Sequence, residues 1–173
     1  MQTVNKTTAA LLETLTKDMA PGDSAKIDNA GGAFMALHVD CIAPSFYRLA
    51  HYFTQNGDLM SDPEVIFWRS PLADEPGFGP AKAWVPTEII MHATGYRRVA
   101  VNFDENNQPE SFAPRVARDL ASFCNAWVKN IKRQQNIKVS RKAGDAPKRA
   151  PELKTTAAPM FRADALGQMA MVF

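Results

Sequence analysis

Apolar and polar positions alternate with a period that changes several times along the chain, and each change marks an element. Ala9, Leu12, Leu15, Thr16 and Met19 recur at helical spacing over residues 6 to 19, before the Pro21-Gly22 stop, and predict a short amphipathic helix. After the loop Asp28-Asn29-Ala30-Gly31-Gly32 the period becomes two. Met35, Leu37, Val39 and Cys41 fall on one side and His38 and Asp40 on the other, the pattern of a half-buried strand. Ala43-Pro44-Ser45 interrupts it, and Phe46 to Thr54 resumes as a second strand. There Tyr47, Leu49, His51 and Phe53 share one face and Arg48, Ala50 and Tyr52 the other.

Asn56-Gly57 follows, a strong hairpin signal, because a type I′ turn needs two positive φ values that Asn and Gly tolerate. Glu64 to Arg69 reads as a third strand that starts just after Pro63, where a missing N–H is harmless. Trp84 to Met91 and Arg97 to Phe103 read as two more, and Pro86 points to an edge position for the former. Between the third and fourth strands, residues 70 to 83 contain Pro71, Pro76, Gly77, Gly79 and Pro80. This connection is longer than the geometry requires, which makes it a candidate binding loop or a neutral insertion. From Pro114 onward Val116, Leu120, Phe123, Trp127 and Ile131 draw one apolar stripe down a helix of about six turns over residues 114 to 136. Its Phe and Trp suit a plug for a sheet's core rather than a ligand box.

The fold expected from these elements is α+β: an antiparallel meander of about five strands, covered on one face by the C-terminal helix and by the short N-terminal one. The chain divides into an N-terminal helix and linker (1–30), an α+β core (31–137) and a tail (138–173). That tail holds Lys138, Arg141, Lys142, Lys148, Arg149 and Lys154 among Pro147, Pro151 and Pro159, without a hydrophobic period. It buries too little surface to offset its chain entropy, so disorder is expected until a partner is met. Met160, Phe161, Leu166, Met169, Met171 and Phe173 end it either as a docking peptide or as a frayed terminus.

Composition narrows the class. A chain of 173 residues with 46% apolar and 22% charged side chains is long enough for one domain with a real core. No run approaches the length of a spanning helix and no signal peptide is visible, so the expected location is the cytoplasm and no membrane is engaged. Cys41 and Cys124 lack metal-ligand spacing and read as small buried side chains. Charge is unevenly spread: residues 1 to 112 carry 8 Lys/Arg against 14 Asp/Glu, whereas residues 113 to 173 carry 12 against 4. An acidic body followed by a basic end suggests an anionic partner for the last third.

Candidate chemistry is densest at the hairpin. Asp58, Asp62 and Glu64 lie close in sequence beside His51, Gln55 and Asn56, and hard divalent cations such as Mg²⁺ or Mn²⁺ take oxygen ligands of this kind. The carboxylate-then-Lys pattern of metal nucleases is missing, because Val65 and Ile66 follow Glu64. Asn56-Gly57 and Asp62-Pro63 are accounted for by turn geometry, which leaves His51, Gln55, Asp58 and Glu64 as candidate binding residues. His38, His51 and His92 fall on three different strands, with no spacing that enforces a shared site. Ser45, Ser61 and Ser111 have no nucleophile-elbow context, and Gly77-Phe78-Gly79-Pro80 leads into no phosphate-binding helix. No cofactor signature is present. In the tail, Lys138, Arg141, Lys142, Lys148 and Arg149 are the candidate contacts to phosphates, but no aromatics for base stacking are interleaved among them.

The stretch Leu49-Ala50-His51-Tyr52-Phe53-Thr54-Gln55-Asn56-Gly57-Asp58-Leu59-Met60-Ser61-Asp62-Pro63-Glu64 is followed later by Arg118-Asp119-Leu120-Ala121-Ser122-Phe123 and Trp127-Val128-Lys129-Asn130-Ile131. In these segments the chain resembles an uncharacterised domain family carried by plasmids, phages and conjugative elements. The likeness covers roughly residues 34 to 135. The chain departs from the family's pattern at Phe53, at Val65 and in the insertion at residues 70 to 83. The resemblance implies a mobile-element setting and a small sheet closed by a helix, and brings no activity with it. Together with the charge distribution it leads to an expected non-enzymatic binding or inhibitory protein, acting on a host or competitor protein or on nucleic acid. The rival expectation is a divalent-metal hydrolase or nuclease using Asp58, Asp62 and Glu64.

The tail's part is testable by filter binding of DNA across a salt series. A chain lacking residues 138–173 should lose most of its affinity and salt dependence; affinity unchanged by the truncation would remove nucleic acid from the tail's role.

Overall fold

The computed structural model describes residues 1–74 and 82–139 of the chain. Among them, six strands form one fully antiparallel meander in sequence order: β1 (Ser24–Ile27), β2 (Leu37–Ala43), β3 (Phe46–Gln55), β4 (Asp58–Arg69), β5 (Trp84–Met91) and β6 (Tyr96–Val99). A two-stranded ribbon, β7 (Val101–Phe103) with β8 (Pro109–Phe112), follows, and the helices α1 (Lys6–Leu15) and α2 (Pro114–Gln134) complete the α+β fold. The tail's expected disorder and residues 75–81 of the 70–83 loop lie outside the described residues. Within the loop, Pro71–Asp74 forms a single 3-10 turn.

The hairpin at Asn56-Gly57 forms as its sequence dictates, with φ of 54° and 92° at the two turn residues. β4 leaves it directly at Asp58 rather than at Glu64. Pro63 sits inside that strand, and its place is a bulge: Ala50 pairs with Glu64 and Tyr52 with Ser61, so Asp62 and Pro63 together oppose His51. The missing N–H of Pro63, which follows a cis peptide bond, therefore falls where the ladder is interrupted. Pro86 uses the same device. β5 is an interior strand, contrary to the edge position expected, but Pro86 lies beside a register shift against β4 and beyond β6, which pairs only Glu88–Met91.

Antiparallel register places residues in rows across the sheet. On the helix side runs Ala25, Val39, Leu49, Val65 and Ile89, all buried. Against this face pack α1, through Ala9, Leu11, Leu12 and Leu15, and α2, in one core cluster extending from Val4 to Ile131. Burial of this apolar surface is the main stabilising term. The buried stripe of α2 is Ala117, Leu120, Ala121, Cys124, Trp127, Val128 and Ile131; Val116 and Phe123 sit at its half-exposed margin, so the helix is rotated relative to the expected stripe. Small residues at 117, 121 and 124 explain the rotation, because they let the helix approach the sheet closely.

Local hydrogen bonds set the boundaries. Asn5 caps α1 by accepting from the Thr8 N–H at 2.9 Å, and the Asn5 N–H in turn reaches Asn125 Oδ1 of α2 at 2.9 Å. α1 stops at Leu15, short of Met19, as Thr16 bonds back to the Leu12 carbonyl and Asp18 adopts a left-handed φ of 62°. α2 opens on Pro114, whose absent N–H costs nothing at a first helical position. Met35 falls outside β2 because its carbonyl accepts from Gln135 Nε2 at 2.8 Å, while the neighbouring Ala36 carbonyl is taken by His51 Nδ1 at 3.0 Å. The expected strand over 97–103 is cut at Ala100, whose N–H and carbonyl leave the ladder for Thr87 and Ala113. The ribbon beyond it turns on Asp104, whose Oδ1 accepts the N–H groups of Asn106 and Gln108 at 2.9 and 2.7 Å. Among the described residues no helix is long and apolar enough to cross a membrane.

Gln135 is fully buried, and its amide is satisfied at both ends: Oε1 accepts the Asn29 N–H at 2.9 Å and Nε2 donates to Met35. One side chain thus ties both ends of the 29–35 loop to the end of α2. Gln135→Leu should cost about 1–3 kcal/mol, the penalty for two orphaned backbone groups that water can partly reach. Urea unfolding at an unchanged m-value measures this, and a loss of only a few tenths would contradict it.

Candidate functional site

The face of the sheet opposite the helices carries two complete six-strand rows. One is Lys26, His38, Ala50, Glu64, Ile90 and Arg97; its neighbour is Ser24, Asp40, Arg48, Ile66, Glu88 and Val99. At the far end of this face Phe46 and Trp68 are covered by Phe103 of the ribbon, with ring centroids 4.9 and 5.5 Å apart. Within these rows Ala50 and Glu64 are buried, the other residues of the four inner strands are half-buried, and the edge-strand residues, Ser24, Lys26, Arg97 and Val99, are exposed.

These charges are arranged in pairs. Arg48 Nε donates to Asp40 Oδ2 at 2.9 Å, and Arg97 Nε makes a short hydrogen bond to Glu88 Oε1. Tyr52, on the same face of β3 as the buried Ala50, stands edge-on to His38 at 4.9 Å between centroids. Burial works against the charge of Arg48, but Tyr52, Asp40 and Glu64 more than offset it and hold its pKa above the usual value. Burial raises the Tyr52 hydroxyl, with Arg48 opposing and Glu64 and Asp40 reinforcing the rise. Burial also lowers the pKa of His38, against the attraction of Asp40 and together with the repulsion of Lys26, His51 and Arg48. These contacts bring hydrogen-bond donors, acceptors and aromatic edges together on one face of the sheet.

The sequence-predicted residues are dispersed. His51 is buried, with its ring at 5.6 Å and edge-on to Trp127, so it belongs to the helix side of the sheet. Its Nδ1 must carry the proton, because the Ala36 carbonyl can only accept. Gln55 and Asp58 are exposed partners at the hairpin tip. Glu64, only 8% exposed, joins the open-face array. Asp58 and Glu64 are six positions apart along one strand, up to roughly 20 Å, so the two do not meet at one cation, and Asp62 lies in the bulge between them. Among the described residues no group of three His, Cys, Asp or Glu gathers within reach of one metal ion. Lys138 is exposed just beyond α2, while Arg141, Lys142, Lys148 and Arg149 lie outside the described residues.

The three histidines do not converge. His38 is on the open face, His51 on the helix side, and His92 in the turn after β5, where its Nδ1 shares a short hydrogen bond with the buried Ser61 Oγ and ties that turn to β4. On the other side of the sheet Glu13 accepts from Arg69 Nε at 2.9 Å and from Trp84 Nε1 at 2.8 Å, joining α1 to β4 and β5. A cavity of about 240 Å³ lies between β6 and the first half of α2, lined by Ile89, Tyr96, Arg98, Val116 and Phe123 among others. Burial pushes both thiols up, strongly at Cys124, which leaves them protonated and unreactive near neutrality.

The lowered pKa of His38 has a stability consequence of definite sign. The folded state favours neutral imidazole, so its contribution is fully present above about pH 6.5, the ordinary value for His, and is lost as pH falls through the lower folded value. Thermal unfolding followed from pH 7 to pH 5 should show a decline in melting temperature that is shallower in His38→Gln. An identical decline in both would place the acid sensitivity elsewhere.

No curated protein and no solved structure matches the chain. A family model does: it spans residues 6–137, from the first residue of α1 to just past the end of α2, and so takes in the N-terminal helix that the sequence likeness over 34 to 135 leaves out. The chain therefore belongs to the family described as Domain of unknown function (DUF6908).

Proposed function

We propose that this protein is a non-enzymatic binding or inhibitory accessory protein of a mobile genetic element, acting in the cytoplasm on a protein of the host or of a competing element. The observation that carries the reading is the pair of six-strand rows on the uncovered sheet face, where Asp40–Arg48 and Glu88–Arg97 are already paired and Tyr52 is fixed against His38. A prepaired face of this kind offers charge of both signs and aromatic edges across several strands. Such surfaces give partner specificity and fast encounter, and they cost little side-chain ordering on binding. The metal-hydrolase alternative finds less support, because Asp58 stands at the hairpin tip and Glu64 within the array. The basic tail is a second route, toward nucleic acid, and stands on its composition alone.

The test is affinity capture of the full chain from a host lysate, in parallel with the double variant Lys26→Glu/Arg97→Glu. Both positions are exposed at the ends of one row, so the variant should fold, with a small drop in melting temperature from the loss of the partly exposed Arg97–Glu88 pair. A specific protein retained by the natural chain should be at least tenfold depleted with the variant. Equal retention would take the open face out of the interaction. Calorimetric titration with Mn²⁺ should show no saturable heat; tight binding abolished by Asp58→Ala or Glu64→Ala would replace this reading with the hydrolase.

A further inference from the structure

At the C-terminal end of α2 a second, smaller surface brings together groups from distant parts of the chain. A shallow cavity of about 440 Å³ is lined by Phe34, Asn130, Arg133 and Gln134. Phe34 is 48% exposed, with its neighbour Met35 at 47%. This aromatic is held in water by construction. Gln135 clamps the Asn29 N–H and the Met35 carbonyl on either side of it, and Gly31 and Gly32 turn the loop between with φ of 59° and 84°. Positive φ at both glycines is a conformation that other residues rarely adopt, so the loop's path is specified by sequence. From Lys129 to Val139 the chain carries Lys129, Lys132, Arg133 and Lys138 and no acidic residue. Among the described residues, none of these cations is in an ion pair.

We propose that this corner is a site for single-stranded nucleic acid, with a base stacked on Phe34 and the flanking phosphates met by Arg133 and Lys129. It goes beyond the protein-binding reading and uses a different part of the molecule. An exposed aromatic face beside a guanidinium is the chemistry that holds an unpaired base, and the amides of Asn130 and Gln134 add donors and acceptors for its edge. A duplex keeps its base faces stacked on one another and cannot present one to Phe34. An acidic peptide would satisfy the cations but leave the ring and the two amides without a role. The negative pole of α2 lies at this end and opposes phosphate, so the attraction comes from side-chain cations, and it is screened by salt. Lys138, four residues beyond the end of α2, is a further exposed cation at this end of the helix.

The test is fluorescence anisotropy of the full chain with a labelled fifteen-nucleotide oligo-dT, a duplex of the same length and unlabelled polyglutamate as competitor. The natural chain should bind oligo-dT more tightly than the duplex, with affinity falling steeply as salt rises. Phe34→Ala should weaken oligo-dT binding by about tenfold, and Phe34→Leu, which keeps apolar bulk but loses the ring, should weaken it to a similar degree. Arg133→Ala should reduce the salt dependence. Unchanged melting temperatures in these exposed-site variants will show that they fold. Binding to oligo-dT that is indifferent to Phe34, or the absence of binding, overturns the proposal. Competition by polyglutamate equal to that of oligo-dT also overturns it, in favour of an acidic protein partner.

Discussion

The pairing of β3 with β4 across Asn56-Gly57 is the constraint on which the rest of the molecule depends. These are the two longest strands, and they are central in the sheet. Their register decides which residues of every other strand face the helices. Because side chains alternate with a period of two, a slip by one residue would exchange Leu49 and Val65 with Arg48 and Glu64 and bury the charges in place of the core. Alternation along β3 puts Tyr52 with Arg48 and Ala50 on the open face and His51 with Leu49 on the helix side, and the β4 bulge of Asp62 and Pro63 opposite His51 takes up the extra residue between the two stretches of ladder. Register and bulge together make a sheet with one face for folding and one left free.

Much of this was legible in the sequence where the signal is local. The Asn-Gly turn, the strand over 84 to 91 and the helix from Pro114 depend on neighbours within a few positions, and each appears where expected. β1 and β8 escaped because four residues are too few to show a period, and β8 is held by backbone pairing to β7 rather than by apolar burial. The exact face of α2 escaped because Ala117, Ala121 and Cys124 carry little hydrophobic signal, yet their small size decides how the helix sits.

The candidate sites were less legible for a related reason. Lys26, His38, Glu64 and Arg97 lie on four different strands, and no spacing along the chain declares that they share one face; only the register does. Polar residues are dense in sequence around Asp58, but density along a strand spreads side chains over both faces and along its length. Met35, next to Phe34, stands a hundred residues from Gln135, and neither is notable until the fold joins them. The groups of both proposed surfaces are brought together by the meander and α2, and neither grouping is declared by spacing along the chain.

That division between a folding face and a free face can be measured at two adjacent residues of β2. Leu37 is fully buried toward the helices, while His38 stands on the open face with Tyr52 as its aromatic contact. Chemical denaturation at pH 7 of Leu37→Ala and His38→Ala compares them directly. The two-faced sheet predicts a loss of about 2–5 kcal/mol for the first and under about 1.5 kcal/mol for the second. Comparable losses at both positions would mean that the polar rows are part of the structural core, and would contradict the assignment of that face to binding.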